Sequence, residues 1–147
     1  MTSNSALGAA RALYGGPSVK ASATILVIED YTDTRELLSV LLRGQGYTVL
    51  EAESGLEGLL KATAMYPDLI IMDLSLPEMD GVQVAQRIHA QAKLSRIPII
   101  VVSSYLTEEV KADAHAAGCV AIFSKPFDTY ELLAEISNTL AQHRWNR

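Results

Sequence analysis

The feature that most limits what this chain can fold into is a regular alternation, repeated five times from Thr24 onward, of short apolar runs and helix-length amphipathic stretches. Thr24–Glu29 (TILVIE) is apolar throughout until it ends in acid, which reads as a strand covered on both faces. A helix is predicted over Asp33–Gln45, with Leu37, Leu38, Leu41 and Leu42 as its apolar stripe and Gly44 and Gly46 as its stop. Tyr47–Glu51 reads as the second strand. Ser54 and Glu57 form a capping box that opens a helix running to Tyr66. Asp68–Asp73 is the third strand, Gly81–Leu94 a helix, and Ile97–Ser103 the fourth strand. Thr107–Ala117 is a helix stopped by Gly118, Val120–Ser124 the fifth strand, and Asp128 with Glu131 starts a last helix over Tyr130–His143.

Strands buried on both faces and separated by amphipathic helices imply an α/β fold, a parallel sheet covered on each side. Such doubly wound sheets bind ligands beyond the carboxyl ends of their strands, where the strand order reverses. The polar residues lie where that rule asks. Glu29 and Asp30 follow the first strand, Asp73 closes the third, Ser103 closes the fourth, and Lys125 follows the fifth. In a flavodoxin-like (βα)5 order, 2-1-3-4-5, the first and third strands are neighbours, and three carboxylates meet in one crevice. Two carboxylates about 5 Å apart repel by roughly 3 kcal/mol at an effective dielectric near 20. A site of this kind calls for a hard cation, and all-oxygen ligands favour Mg²⁺ or Mn²⁺ over zinc. With such a cation, an ionised aspartate becomes a workable nucleophile towards phosphorus, and Lys125 covers a further phosphoryl oxygen.

The runs ILVIEDYTD, PDLIIMDLSLPEMDG, IPIIVVSS and FSKPF together resemble the bacterial response-regulator receiver domain, the CheY-like family, over about Thr24 to Leu140. The resemblance implies that Asp73 accepts a phosphoryl group from a histidine kinase or phosphotransfer protein. It implies a Mg²⁺ held by Asp30, Asp73 and the Ser75 backbone carbonyl, with Glu29 acting largely through bound water. It implies phosphoryl contacts from Ser103 and Lys125, and a cis bond before Pro126. The readout it implies is a changed surface on the fourth helix, fifth strand and fifth helix. The chain departs from the family in three places: Glu-Asp replaces the commoner Asp-Asp, Ser103 stands where Thr is frequent, and Ile122 stands where many members carry Tyr or Phe. Phe123 is adjacent to Ile122, but period-two alternation sends it to the other face. Tyr105, two residues past Ser103, is expected at the mouth of the site, where its ring would slow hydrolysis of the acyl phosphate.

The organisation expected is an N-terminal extension over 1–23, rich in Ala, Ser and Gly, a receiver domain over 24–143, and a short tail over 144–147. A net charge of -5 argues against a nucleic-acid surface. No apolar run suits a membrane span and no signal-peptide pattern opens the chain, so the expected address is the cytoplasm. With only four residues after His143, output is expected through a separate protein, from a monomer or weak homodimer. One rival is a pseudo-receiver, a binding module that works without phosphorylation. A second, an aspartyl-phosphate hydrolase, would need an acid two residues after the nucleophile, where Ser75 stands. His89, His115 and His143 lack metal-ligand spacing and read as partly exposed helix residues. Cys119 reads as a packing residue.

Overall fold

A computed structural model describes residues 23–145, with side chains through His143. The expected N-terminal extension falls, apart from Ala23, outside the described residues, as do residues 146–147 of the expected tail. Five strands are present: β1 Thr24–Ile28, β2 Thr48–Ala52, β3 Leu69–Met72, β4 Ile99–Ser103 and β5 Ala121–Ser124. The helices are α1 Thr32–Gly44, α2 Gly55–Met65, α3 Gly81–Ala90, α4 Glu108–Ala116 and α5 Thr129–Trp145, and a 3-10 turn, Ala92–Leu94, follows α3. The sheet is parallel throughout, in the order β2-β1-β3-β4-β5, the flavodoxin-like topology.

Alternation along the strands divides the core into two layers. Leu26, Ile28, Ile70, Met72, Ile99 and Val101 face one side, where α2, α3 and α4 contribute Ala62, Val84, Ala85, Ile88 and Ala114. Ile25, Val27, Leu69, Ile71, Ile100 and Val102 face the other, against Leu38 and Leu42 of α1 and Leu132 and Ile136 of α5. Ile122 packs against the first layer and Phe123 against the second, as the alternation requires.

Local signals set the boundaries. Ser54 Oγ accepts from the Glu57 amide at 3.1 Å, while the Glu57 carboxylate returns to the Glu53 amide at 2.7 Å, one residue before the cap. Thr107, Asp80 and Asp128 each accept from the amide three residues on, at 3.1, 3.0 and 2.9 Å. The helix expected over Gly81–Leu94 breaks after Ala90, and the last helix runs on to Trp145.

The α1 stripe differs from expectation. The buried residues are Arg35, Leu38, Ser39 and Leu42, and Leu37 is exposed. The heptad-like spacing of the leucines suggested the stripe, but Arg35 carries enough ion-pair partners to take a place in the inner row. Ser39 Oγ is buried without a hydrogen-bond partner. Ser39→Ala removes an unsatisfied hydroxyl and improves helix propensity, so it should raise unfolding free energy by about 1 kcal/mol, read from urea denaturation.

Two other sequence expectations have definite outcomes. His89 is a partly exposed helix residue, as expected, and its Nδ1 and Nε2 lie 2.9 Å from the carbonyl oxygens of Ala117 and Ile97, so the ring also ties α3 to two loops. Cys119 is buried, and burial pushes its thiol up to about 11, in keeping with a packing role.

Candidate functional site

The site grows from the sheet register. Ile28 pairs with Met72, so the next residues, Glu29 and Asp73, emerge side by side at the carboxyl ends of β1 and β3. The ladder extends one step past the strands: the Glu29 amide donates to Ala52 O at 3.0 Å and the Asp73 amide to Ile28 O at 3.1 Å. Beyond β5, the Lys125 amide donates to Ser103 O at 3.0 Å, which brings the lysine beside the end of β4. The Lys125–Pro126 bond is cis, as the resemblance implies. Gly81 is required where α3 starts, because a Cβ there would come within 2.6 Å of Asp73 O.

Carboxylate oxygens of Glu29, Asp30 and Asp73 lie within 4.8 Å of one another. Glu29 and Asp73 are buried, at 2% and 6% exposure, and Asp30 is at the open side. Asp73 Oδ1 accepts from the Ser103 hydroxyl at 2.7 Å and from the Ser75 amide at 3.0 Å. The Lys125 ammonium bridges the two buried acids, 3.0 Å from Asp73 Oδ2 and 2.8 Å from Glu29 Oε1. Glu29 Oε2 accepts from the Tyr31 amide at 3.0 Å. The structure therefore gathers Glu29, Asp30, Asp73, Ser103 and Lys125 around one point. Ser75 joins them through its amide.

The electrostatics separate the two buried acids. Burial favours the neutral form of both. At Asp73 the bonds from Ser75, Ser103 and Lys125 together outweigh burial and hold the carboxyl below its ordinary value. At Glu29 burial prevails over the Lys125 and Tyr31 bonds, with the Asp73 charge adding to it, and the carboxyl is raised. Lys125 loses by burial and gains more from Glu29 and Asp73, so its ammonium is held above the ordinary value. An ionised Asp73 and a charged Lys125 are thus the resting species at neutral pH.

These opposite shifts predict a pH dependence. A raised acid stabilises the fold below its ordinary value of 4.5 and gives that stability up as it ionises at higher pH. Asp73 contributes stability above its ordinary 3.8, which is lost only as pH falls through its lower folded value. Above 4.5, Glu29 is therefore the changing group of the two. In chelator, the stability of Glu29→Gln relative to wild type should grow as pH rises from that point, as read from the difference in melting temperature against pH.

Tyr105 is 82% exposed. It borders a cleft of about 520 Å³ between α3 and α4 with Ser75, Asp80, Val82, Val110 and Asp113. A ring so open to water gives Asp73 little cover in this state, so Tyr105→Ala should leave the dephosphorylation rate unchanged, against the shielding expected of it. One residue of the site neighbourhood was missed by sequence reasoning. Arg35 donates to the Glu29 carbonyl at 3.0 Å, and the signal for it was a basic residue three and seven positions before Leu38 and Leu42.

Comparison with known proteins agrees with this geometry. The response regulator receiver domain family matches residues 25–137. The KDP operon transcriptional regulatory protein KdpE of Escherichia coli is 39% identical over 119 residues, covering 81% of this chain and 52% of KdpE. The polar-differentiation response regulator DivK of Brucella ovis is 31% identical over 117 residues, covering 80% of this chain and 95% of DivK. The chain thus spans about half the length of some relatives and nearly all of others. Among solved structures, the chemotaxis response regulator CheY4 of Vibrio cholerae superposes with a TM-score of 0.75 at 29% identity, covering 80% of this chain and 98% of CheY4. The family match begins at the second residue of β1 and ends within α5, and it takes in every strand that carries the acids, the hydroxyl and the ammonium. The chain belongs to the response regulator receiver domains of two-component signalling.

Proposed function

We propose that Asp73 accepts a phosphoryl group from a histidine kinase or phosphotransfer protein, and that the modified domain signals to a separate partner protein from the cytoplasm. The observation that carries this reading is the convergence on Asp73. Its carboxylate is buried, kept ionised, and contacted by the Ser103 hydroxyl and the Lys125 ammonium within 3.0 Å. In the transfer, an Asp73 oxygen bonds to phosphorus as the phosphorus–nitrogen bond of the donor breaks, and the electron pair returns to the donor imidazole.

The oxygen-only donor set of Glu29, Asp30 and Asp73, gathered within 4.8 Å, fits a divalent cation such as Mg²⁺. Asp30, Asp73 and the Ser75 carbonyl would hold it, with Glu29 acting through water. When bound it offsets the charge that builds up as two anions meet. The remaining work falls to the chain itself. Lys125 has its ammonium already placed for a phosphoryl oxygen, and Ser103 can turn its hydroxyl from Asp73 to the new group. Phosphorylation changes a charge of about -1 to one nearer -2 and adds strong acceptors. That supplies differential contacts able to shift the loop after β4 and the surface of α4, β5 and α5.

Acetyl phosphate with Mg²⁺ tests this directly. Intact mass should show one added phosphoryl group on the folded wild-type chain, and chelator should prevent it. A chain that stays unmodified with Mg²⁺ present would overturn the reading.

A further inference from the structure

Arg35 is a charged residue in the inner row of α1, at 7% exposure, beside Leu38 and Leu42. A buried guanidinium is tolerated only with its donors and its charge satisfied. Two carboxylates of β2 and its following turn meet the charge: Nε donates to Glu51 Oε1 at 3.1 Å, and Nη2 lies 3.8 Å from Glu53 Oε2. The third nitrogen of the guanidinium goes elsewhere. Nη1 donates to the Glu29 carbonyl at 3.0 Å, and the Asp30 carbonyl is 3.5 Å away. These are the two residues at the tip of β1 whose carboxylates join Asp73.

We propose that Arg35 is a positioning residue for the cation site, holding the peptides that follow Glu29 and Asp30 so that both carboxylates point at Asp73. The inference rests on the cation-dependent reading above. The direction of a side chain is set by the backbone on either side of it. Fixing the carbonyls of residues 29 and 30 removes the torsional freedom that would swing Asp30 away. The need is greatest at Asp30, which is exposed and lies just past the end of the strand ladder. Glu29 has a second restraint, since its Oε2 accepts from the Tyr31 amide. The far end of the clamp is well anchored. Glu51 pairs with Val27 in the sheet register and is also met by Arg43 at 3.7 Å. The planar fork of arginine can reach β2 and the β1 tip together, whereas a lysine ammonium offers one point.

Charge and geometry predict opposite outcomes for this residue, which makes the proposal testable. A nearby guanidinium repels a divalent cation, so if Arg35 acted through its charge, its removal would tighten metal binding. If it acts by holding ligands in place, removal weakens binding, by roughly tenfold for an outer-shell partner of this kind. The experiment is calorimetric titration of the metal-free full chain with magnesium chloride, for wild type, Arg35→Gln, Arg35→Lys and Leu42→Val. The last variant loosens α1 packing without touching the site and controls for general destabilisation. Weaker Mg²⁺ binding in Arg35→Gln, a smaller loss in Arg35→Lys and none in Leu42→Val would support the positioning role. Binding in the Arg35 variants equal to or tighter than wild type overturns it, and Arg35→Lys alone decides the matter if the glutamine variant does not fold. A wild-type chain that takes up no Mg²⁺ would instead overturn the cation-dependent reading, and the inference with it.

Discussion

Asp73→Asn should leave the chain folded and wholly unmodified by acetyl phosphate and Mg²⁺, under conditions that modify wild type. The substitution is close to isosteric. The side-chain oxygen of asparagine can still accept from the Ser75 amide and the Ser103 hydroxyl, which now meet Asp73 Oδ1 at 3.0 and 2.7 Å. What is lost is the anionic nucleophile, and a carboxamide does not form an acyl phosphate. The contact with Lys125 turns unfavourable, since an amide nitrogen would face the ammonium now 3.0 Å from Oδ2. Against that, one of three clustered carboxylates is gone, and repulsion within the cluster falls. The two effects oppose, so stability should change little while labelling disappears. Glu29→Gln is the matching control. It also removes one acid from the cluster but keeps the nucleophile, so labelling should slow without vanishing. Residual adduct on Asp73→Asn, located by peptide mass, would place the acceptor elsewhere.

Much of this site could be read from the sequence because backbone period and strand-end position carry the information. An apolar run that ends in an acid states both that a strand is buried and which end of the sheet holds the chemistry. Asp73 follows that rule, Ser103 and Lys125 mark the same ends of β4 and β5, and the register of β1 with β3 brings Glu29 alongside Asp73. What the sequence left hidden depends on side-chain direction in three dimensions. The leucines of α1 are spaced closely enough to suggest several stripes, and only packing decides that Leu37 faces water while Arg35 goes inward. The double contact of His89 joins carbonyls from two loops that meet only once the sheet has formed. The split between the raised Glu29 and the lowered Asp73 likewise has no signature in composition, because it turns on which acid collects more donors.

Lys125→Met should give the second large effect, and it should be read first as stability. The Lys125 ammonium is the shared counter-charge of two carboxylates, with side-chain exposures of 19% for the lysine against 2% for Glu29 and 7% for Asp73. Removing one partner of a buried pair costs about 3–5 kcal/mol, because it leaves uncompensated charge in a poorly solvated place. Partial exposure of the lysine brings the expected loss here nearer to about 2–3 kcal/mol. For a domain of this size that corresponds to a fall in melting temperature of roughly 10 °C. The stability that Lys125 supplies is present in full at neutral pH. Its ammonium is raised above the ordinary 10.5, so the contribution is lost only as pH climbs through the higher folded value. The loss should be largest in chelator and shrink when Mg²⁺ is added, since a divalent cation offsets the same carboxylates. It should also shrink in the background of Asp73→Asn, where one of the two orphaned charges is gone, and this coupling separates lost charge compensation from lost packing. Equal melting temperatures for Lys125→Met and wild type in chelator would mean that the ammonium does not compensate the buried acids, and the electrostatic account of why Asp73 stays ionised would fall with it.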